Sequence, residues 1–249
     1  MPRNPDKYAY VDMYYSKYHR ETLFVLAVLG AAEVGKTALI QCFGNTGAWM
    51  TEMEENCGYI ETEEPQNSHH SVDLGVDVDE IILEVWDTPG HKRLESIALE
   101  VCYRPEMHGH MIVFDVTNTE SFNHATRILA NLKKHKAQIS SSQQQQHVYL
   151  AQRNNYLVLV GNKCDLASST SSSGSSNRVG EEVVKRGGGD LDDSLREVSF
   201  EAASALAAEY NSPYIEVSAA TGLHVKEAFE RLASDIRCMV HEDEASHYI

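Results

Sequence analysis

Positive charge is scarce in this chain. Against 37 aspartates and glutamates stand 21 lysines and arginines, a formal net charge of −16, which argues against broad attraction to nucleic acid or anionic lipid. Cysteine is sparse and unpatterned. Cys42, Cys57, Cys102, Cys164 and Cys238 form an odd set without C-x-x-C spacing, which suits reduced thiols and not a disulfide frame. No apolar run approaches the roughly 20 residues a membrane helix needs. The opening "MPRNPDKYAYVDMYYSKYHR" is too polar for a signal peptide. The end, "CMVHEDEASHYI", is acidic and carries no prenylation box, so no lipid anchor is evident. His69-His70 and His108-x-His110 have no cysteine or carboxylate spaced to complete a metal site. These absences predict a soluble, cytoplasmic chain, taken as a monomer, and 249 residues suffice for one full core.

What is present is an alternation of apolar strands and amphipathic helices. "TLFVLAVLG", "DEIILEVWD", "GHMIVFDV", "NYLVLVGN" and "PYIEVSA" read as buried strands. "KTALIQCF", "ESFNHATRILANLKKHK", "SFEAASALAAEY" and "VKEAFERLASDIR" read as helices between them. The alternation predicts an α/β fold with a mostly parallel sheet covered on both faces. Gly44 to Ser71 is acidic and poor in aliphatics, and reads as an irregular loop. The organisation expected is a polar extension over 1–21, a domain over 22–238 and an acidic tail over 239–249. The domain would carry flexible Gln-rich and Ser/Gly-rich insertions near 139–154 and 167–195.

Four motifs fall at strand ends. "GAAEVGKT", Gly30 to Thr37, fits G-x-x-x-x-G-K-[ST] between a strand and a helix. In such a loop backbone N–H groups meet phosphate oxygens, Lys36 neutralises them and the Thr37 hydroxyl ligates Mg²⁺. "DTPG" offers Asp87 to the metal through water and the Gly90 N–H to a terminal phosphate oxygen. "NKCD" supplies Asp165 to accept from both N1–H and N2–H₂ of guanine, Lys163 to lie along the base and Asn162 to tie the loops together. "SAATG", after the last strand, offers the Ala219 N–H to guanine O6.

In this order the motifs resemble those of the Ras superfamily of small GTPases, as do "HGHMIVFDVTNTESF" and "REVSFEAASALAAEYNSPYIEVSAATG". The resemblance runs intermittently from Thr22 to Arg237. It implies a P-loop NTPase fold with a six-stranded sheet, GTP and GDP as ligands, Mg²⁺ as cofactor, and protein effectors and regulators acting through the switch regions. The nucleotide-binding set it implies is Gly30, Ala31, Ala32, Glu33, Val34, Gly35, Lys36, Thr37, Ala38, Thr62, Asp87, Gly90, Asn162, Lys163, Asp165, Ser218, Ala219 and Ala220. Metal would fall to Thr37, Thr62 and Asp87. For the switch I threonine, Tyr59 and Glu64 favour Thr62 and Thr51 competes, with Glu61 where a proline is usual.

Three departures bear on hydrolysis. Pro89 stands where family members usually have alanine, His91 where they have the water-aligning glutamine, and Ala32 where they often have glycine. "DTPGH" is also similar to the motif of translational GTPases, whose histidine helps to position water. Their phosphate loop carries His-Gly where this chain has Val34-Gly35. His91 therefore reads either as a catalytic water-positioning residue or as an exposed substitution in a degenerate switch. The function expected is a GTP-binding molecular switch with slow hydrolysis. The alternative is a non-hydrolysing GTP-bound interaction module, while an ATP-using enzyme conflicts with Asp165.

Overall fold

A computed structural model describes residues 21–44, 62–74, 80–141, 156–167 and 195–246. Thr51, Tyr59, the N-terminal extension and most of both polar insertions lie outside them. Strand β1 (Glu21–Leu29) runs into α1 (Lys36–Gly44). There follow β2 (Gln66–Val72), β3 (Glu80–Asp87), a 3₁₀ turn at Lys92–Leu94 and α2 (Glu95–Cys102). Then come β4 (Gly109–Asp115), α3 (Thr119–Ser141), β5 (Tyr156–Asn162) and a second 3₁₀ turn at Cys164–Ala167. The chain closes with α4 (Phe200–Glu209), β6 (Tyr214–Glu216) and α5 (Val225–Ser246). Residues from 239 to Ser246, set apart above as a tail, continue that last helix.

The six strands lie in the order β2-β3-β1-β4-β5-β6. β2 is antiparallel to β3, and every other pair is parallel. Continuous apolar strands follow from burial on both faces. On β1, Phe24, Leu26 and Val28 pack into a core with Leu39 and Ile40 of α1 and Phe229, Leu232 and Ile236 of α5. Their neighbours Val25, Ala27 and Leu29 point the other way, into a second core with α2, α3 and α4. The period-2 alternation of a strand thus feeds two apolar layers at once. Among the described residues no helix is long and apolar enough to cross a membrane.

β2 corrects the loop expected through Ser71. "QNSHHSV" shows no apolar alternation, and only Val72 at its end is buried. The strand exists through its antiparallel ladder with β3, from Gln66 opposite Asp87 to Val72 opposite Ile81. An edge strand with a solvated face satisfies its backbone without a hydrophobic signature.

Two consequences position the site. The carboxyl ends of β1, β3, β4, β5 and β6 share one rim of the sheet, and the chain leaves β1 toward the β2–β3 side but leaves β4 toward β5 on the other side. Such a switch point in a parallel sheet opens a crevice for a ligand. Behind it, Phe229 of α5 is fully buried and stacks on Phe43 of α1 with ring centroids 4.1 Å apart. That contact fixes the helix that follows the phosphate loop. Phe229→Ala should cost about 3–5 kcal/mol of stability, read as a lower urea midpoint; an unchanged midpoint would mean this stack carries little of the packing.

Candidate functional site

The turn from β1 into α1 is shaped by residues in unusual backbone conformations. Glu33 sits at φ +64° and Gly35 at φ +91°. A side chain at Gly35 would collide with the Asn162 amide, so only glycine fits there. Val34 is buried and anchors the loop, while the Gly35 carbonyl accepts from Leu39 N at 2.9 Å as α1 begins. Lys36 curls back beneath the loop, with Nζ donating to Ala31 O at 2.8 Å and Gly30 O at 3.1 Å. Burial lowers its pKa to about 8, against the pull of Asp87. A buried ammonium beside a helix N-terminus gives an anion two favourable partners. Ala38 follows in the first turn of α1.

Three oxygens gather beside the loop. Thr37 Oγ1 donates to Asp87 Oδ2 at 2.6 Å, and Thr62 Oγ1 lies 3.3 Å from the same oxygen and 3.2 Å from Thr37 Oγ1. Thr62, not adjacent to either in sequence, is thereby brought to both. Asp87 Oδ1 is buried and has no hydrogen-bond partner among the described residues. Burial raises the Asp87 pKa, and the Thr37 hydroxyl and Lys36 only partly counter it. Two hydroxyls and a buried carboxylate with a spare oxygen suit Mg²⁺, a hard cation that takes oxygen ligands and keeps part of its water shell.

After Asp87 the chain is held tightly against the loop. Thr88 is fully buried and its hydroxyl donates to Val28 O at 2.7 Å. A Cβ on Gly90 would meet Ala32 N and Lys36 Nζ at 2.5 Å, so this backbone lies directly over the loop. Sequence reasoning passed over Thr88, whose role depends on a carbonyl of β1. It also passed over His124, which is buried, lies 3.7 Å from the Glu95 carboxylate and lines a small cavity with Gly30, Pro89 and Gly90. Helical spacing from Ser121 and Ile128 already puts His124 on the inward face of α3.

The other end of the rim is organised by Asn162. Its Nδ2 donates to Val34 O at 2.7 Å, and its Oδ1 accepts from Ala219 N at 3.0 Å. One buried amide therefore joins the phosphate loop to the turn after β6. The Ala219 N–H assigned above to O6 is already engaged here, and a base carbonyl would have to share it. Ser218 is fully buried, its Oγ accepting from Thr221 N at 3.1 Å, and Ala220 is exposed beside it. Lys163 stands at φ +63°. Asp165 Oδ1 is buried and, among the described residues, meets no donor.

His91 is exposed and caps the 3₁₀ turn, its Nδ1 accepting from Arg93 N at 3.2 Å. With Nδ1 accepting, the neutral ring carries its proton on Nε2 and can offer a donor there but no acceptor.

A model of the Ras family matches residues 25–238. The Ras-related protein RIC1 of Oryza sativa subsp. japonica is 31% identical over 215 residues, 86% of this chain and 81% of its own length. The Ras-related protein Rab-8B of Bos taurus is 29% identical over 214 residues, 86% of this chain and 78% of its own. The GTP-binding protein ypt2 of Schizosaccharomyces pombe is 28% identical over 215 residues, covering 86% and 82%.

Lys36 yields a test with a definite sign. Phosphates would raise its pKa above the value of about 8 it has in the protein alone, so binding takes up a proton above that pH. Nucleotide affinity should be full below pH 8 and fall above it, by at most about tenfold per unit. Lys36→Met should lower affinity at least about a hundredfold, the loss of a charged buried contact, and flatten the pH dependence. Titration calorimetry from pH 7 to 9.5 checks both, and a slope that persists in Lys36→Met would assign the proton elsewhere.

Proposed function

The chain belongs to the Ras family of small GTPase switches, and we propose that this member binds guanine nucleotide tightly and hydrolyses GTP slowly. The observation that carries the binding is a matched pair of buried carboxylate oxygens without a hydrogen-bond partner among the described residues. Asp87 Oδ1 sits at one end of the rim and Asp165 Oδ1 at the other, both on a frame pinned by Asn162. A buried acceptor without a donor is costly unless a ligand completes it. The N1–H and N2–H₂ of guanine supply donors at Asp165, which adenine cannot do.

In this reading the domain spans 22–238, and the Gly30–Ala38 backbone with Lys36 cradles the phosphates. Thr37, Thr62 and Asp87 would hold Mg²⁺, which when bound neutralises phosphate charge. Asn162 keeps the phosphate and base ends in register, and Lys163, Ser218, Ala219 and Ala220 wall the base. Gly90, with no room for a side chain, lets its backbone approach the terminal phosphate. Effectors and regulators would read the segments around Thr62 and after Gly90, since those respond to that phosphate.

Slow hydrolysis follows from His91. A glutamine side chain both donates and accepts, so it can orient a water against the phosphate. The His91 ring spends its acceptor on Arg93 N and keeps one donor. It can therefore steady a water or phosphate oxygen but cannot draw a proton from the water while it caps the turn. Ala32 adds bulk where a regulator's arginine would enter. The same cap favours a second reading, a GTP-bound interaction module with no turnover.

Single-turnover hydrolysis of bound GTP separates them. His91→Gln should raise the rate about tenfold, worth about 1.4 kcal/mol of barrier, and His91→Ala should lower it. No turnover in the wild type, restored by His91→Gln, selects the interaction module; equal rates in all three remove His91 from the chemistry.

A further inference from the structure

We propose that Asp115 is a positioning residue for the guanine end of the site: from the end of β4 its carboxylate clamps the Lys163 ammonium and holds the Asn162–Asp165 turn in shape. This rests on the guanine-nucleotide reading above and adds a residue to it.

Asp115 is the last residue of β4 and the register partner of Asn162, the last residue of β5. Like Asp87 at the end of β3, it closes an apolar strand. Its side chain is buried, and Oδ2 lies 2.7 Å from Lys163 Nζ. The carboxylate cannot swing away, because Oδ1 accepts from Thr117 N at 2.8 Å and Thr117 Oγ1 at 2.6 Å. The strand end itself is fixed by Asp115 N donating to Ser121 Oγ at 3.0 Å. Burial pushes the Asp115 carboxyl up, but Lys163 and Thr117 outweigh it and hold it below its usual range. It is an anion fixed in one orientation.

Lys163 needs such a partner. Its φ of +63° is a left-handed conformation that L side chains rarely adopt. The residue stands between Asn162, which spans the two loops, and Asp165, whose Oδ1 is buried and meets no donor among the described residues. If the backbone at Lys163 relaxed, the Asp165 carboxylate would turn with it. The ion pair opposes that relaxation at a point where the side chains are mostly shielded, so it is screened less than a surface pair. It also draws the lysine Nζ toward the end of β4, which leaves the apolar stem free to lie along a base.

The test uses the full chain loaded with N-methylanthraniloyl-GDP and a chase of unlabelled GDP. Asp115→Asn keeps the shape and removes the charge. Dissociation should quicken about tenfold, equivalent to about 1.4 kcal/mol, while in a Lys163→Met background the same change should add little. Thr117→Val removes the hydroxyl bond to Oδ1 and leaves the backbone N–H bond and the ion pair in place. It should quicken release by a smaller factor, again only when Lys163 is present, and it serves if Asp115→Asn does not fold. An unchanged rate, or an acceleration as large without Lys163 as with it, would overturn the positioning role and leave Asp115 as a turn residue. A wild type that takes up no labelled GDP overturns this role together with the nucleotide reading. A wild type that binds, loses guanine preference in Asp165→Asn and ignores Asp115→Asn overturns this inference alone.

Discussion

Everything in this site hangs on the Asn162 side-chain amide. It donates to the phosphate loop at Val34 and accepts from the turn after β6 at Ala219, segments far apart in the chain. The amide has a donor and an acceptor on one rigid plane, so it couples the two loops and sets their spacing. Gly35 is a consequence, since the amide occupies the space a Cβ would need. So is the placement of Asp165, three residues along the same turn. Because the amide is buried, losing either bond leaves a polar group unsatisfied away from water, which costs more than the bond itself contributes.

Around that bridge the electrostatics are arranged for ligands. Burial disfavours the charge on Lys36 and on Asp87 alike, lowering one pKa and raising the other. The two attract, but Thr37 and Thr62 share Asp87 Oδ2 and the second oxygen has no donor among the described residues. An anion at Lys36 and a cation at Asp87 offset the cost of burying both charges, which is the charge pattern of a magnesium-bound nucleotide. In the function proposed, binding strength and hydrolysis fall to different residues. The first belongs to the sheet rim. The second, in the function proposed, would fall to His91, an exposed ring engaged in capping a short turn.

Much of this was legible from the residues. Buried strands announced themselves because a sheet covered on both faces demands unbroken apolar runs. The phosphate loop, Asp87, Asn162 and Asp165 stood at strand ends, where the chain leaves the core and polar groups become available. β2 was not legible, because it pairs at an edge and its side chains obey no burial pattern. The engagement of the Ala219 N–H was hidden for another reason. It depends on which way the Asn162 amide faces, a three-dimensional fact with no trace in spacing. The cap at His91 was hidden likewise, since a 3₁₀ turn of three residues leaves no periodicity to read.

A guanine nucleotide held at the rim would account for the buried charges and the bridge together. Gently purified full-length protein, denatured and analysed by ion-exchange chromatography, gives the most direct answer. Guanine nucleotide should appear in stoichiometric amount, with GTP in excess over GDP and released by a magnesium chelator. Adenine nucleotide in its place, or protein that neither carries nor takes up guanine nucleotide with magnesium, would contradict it.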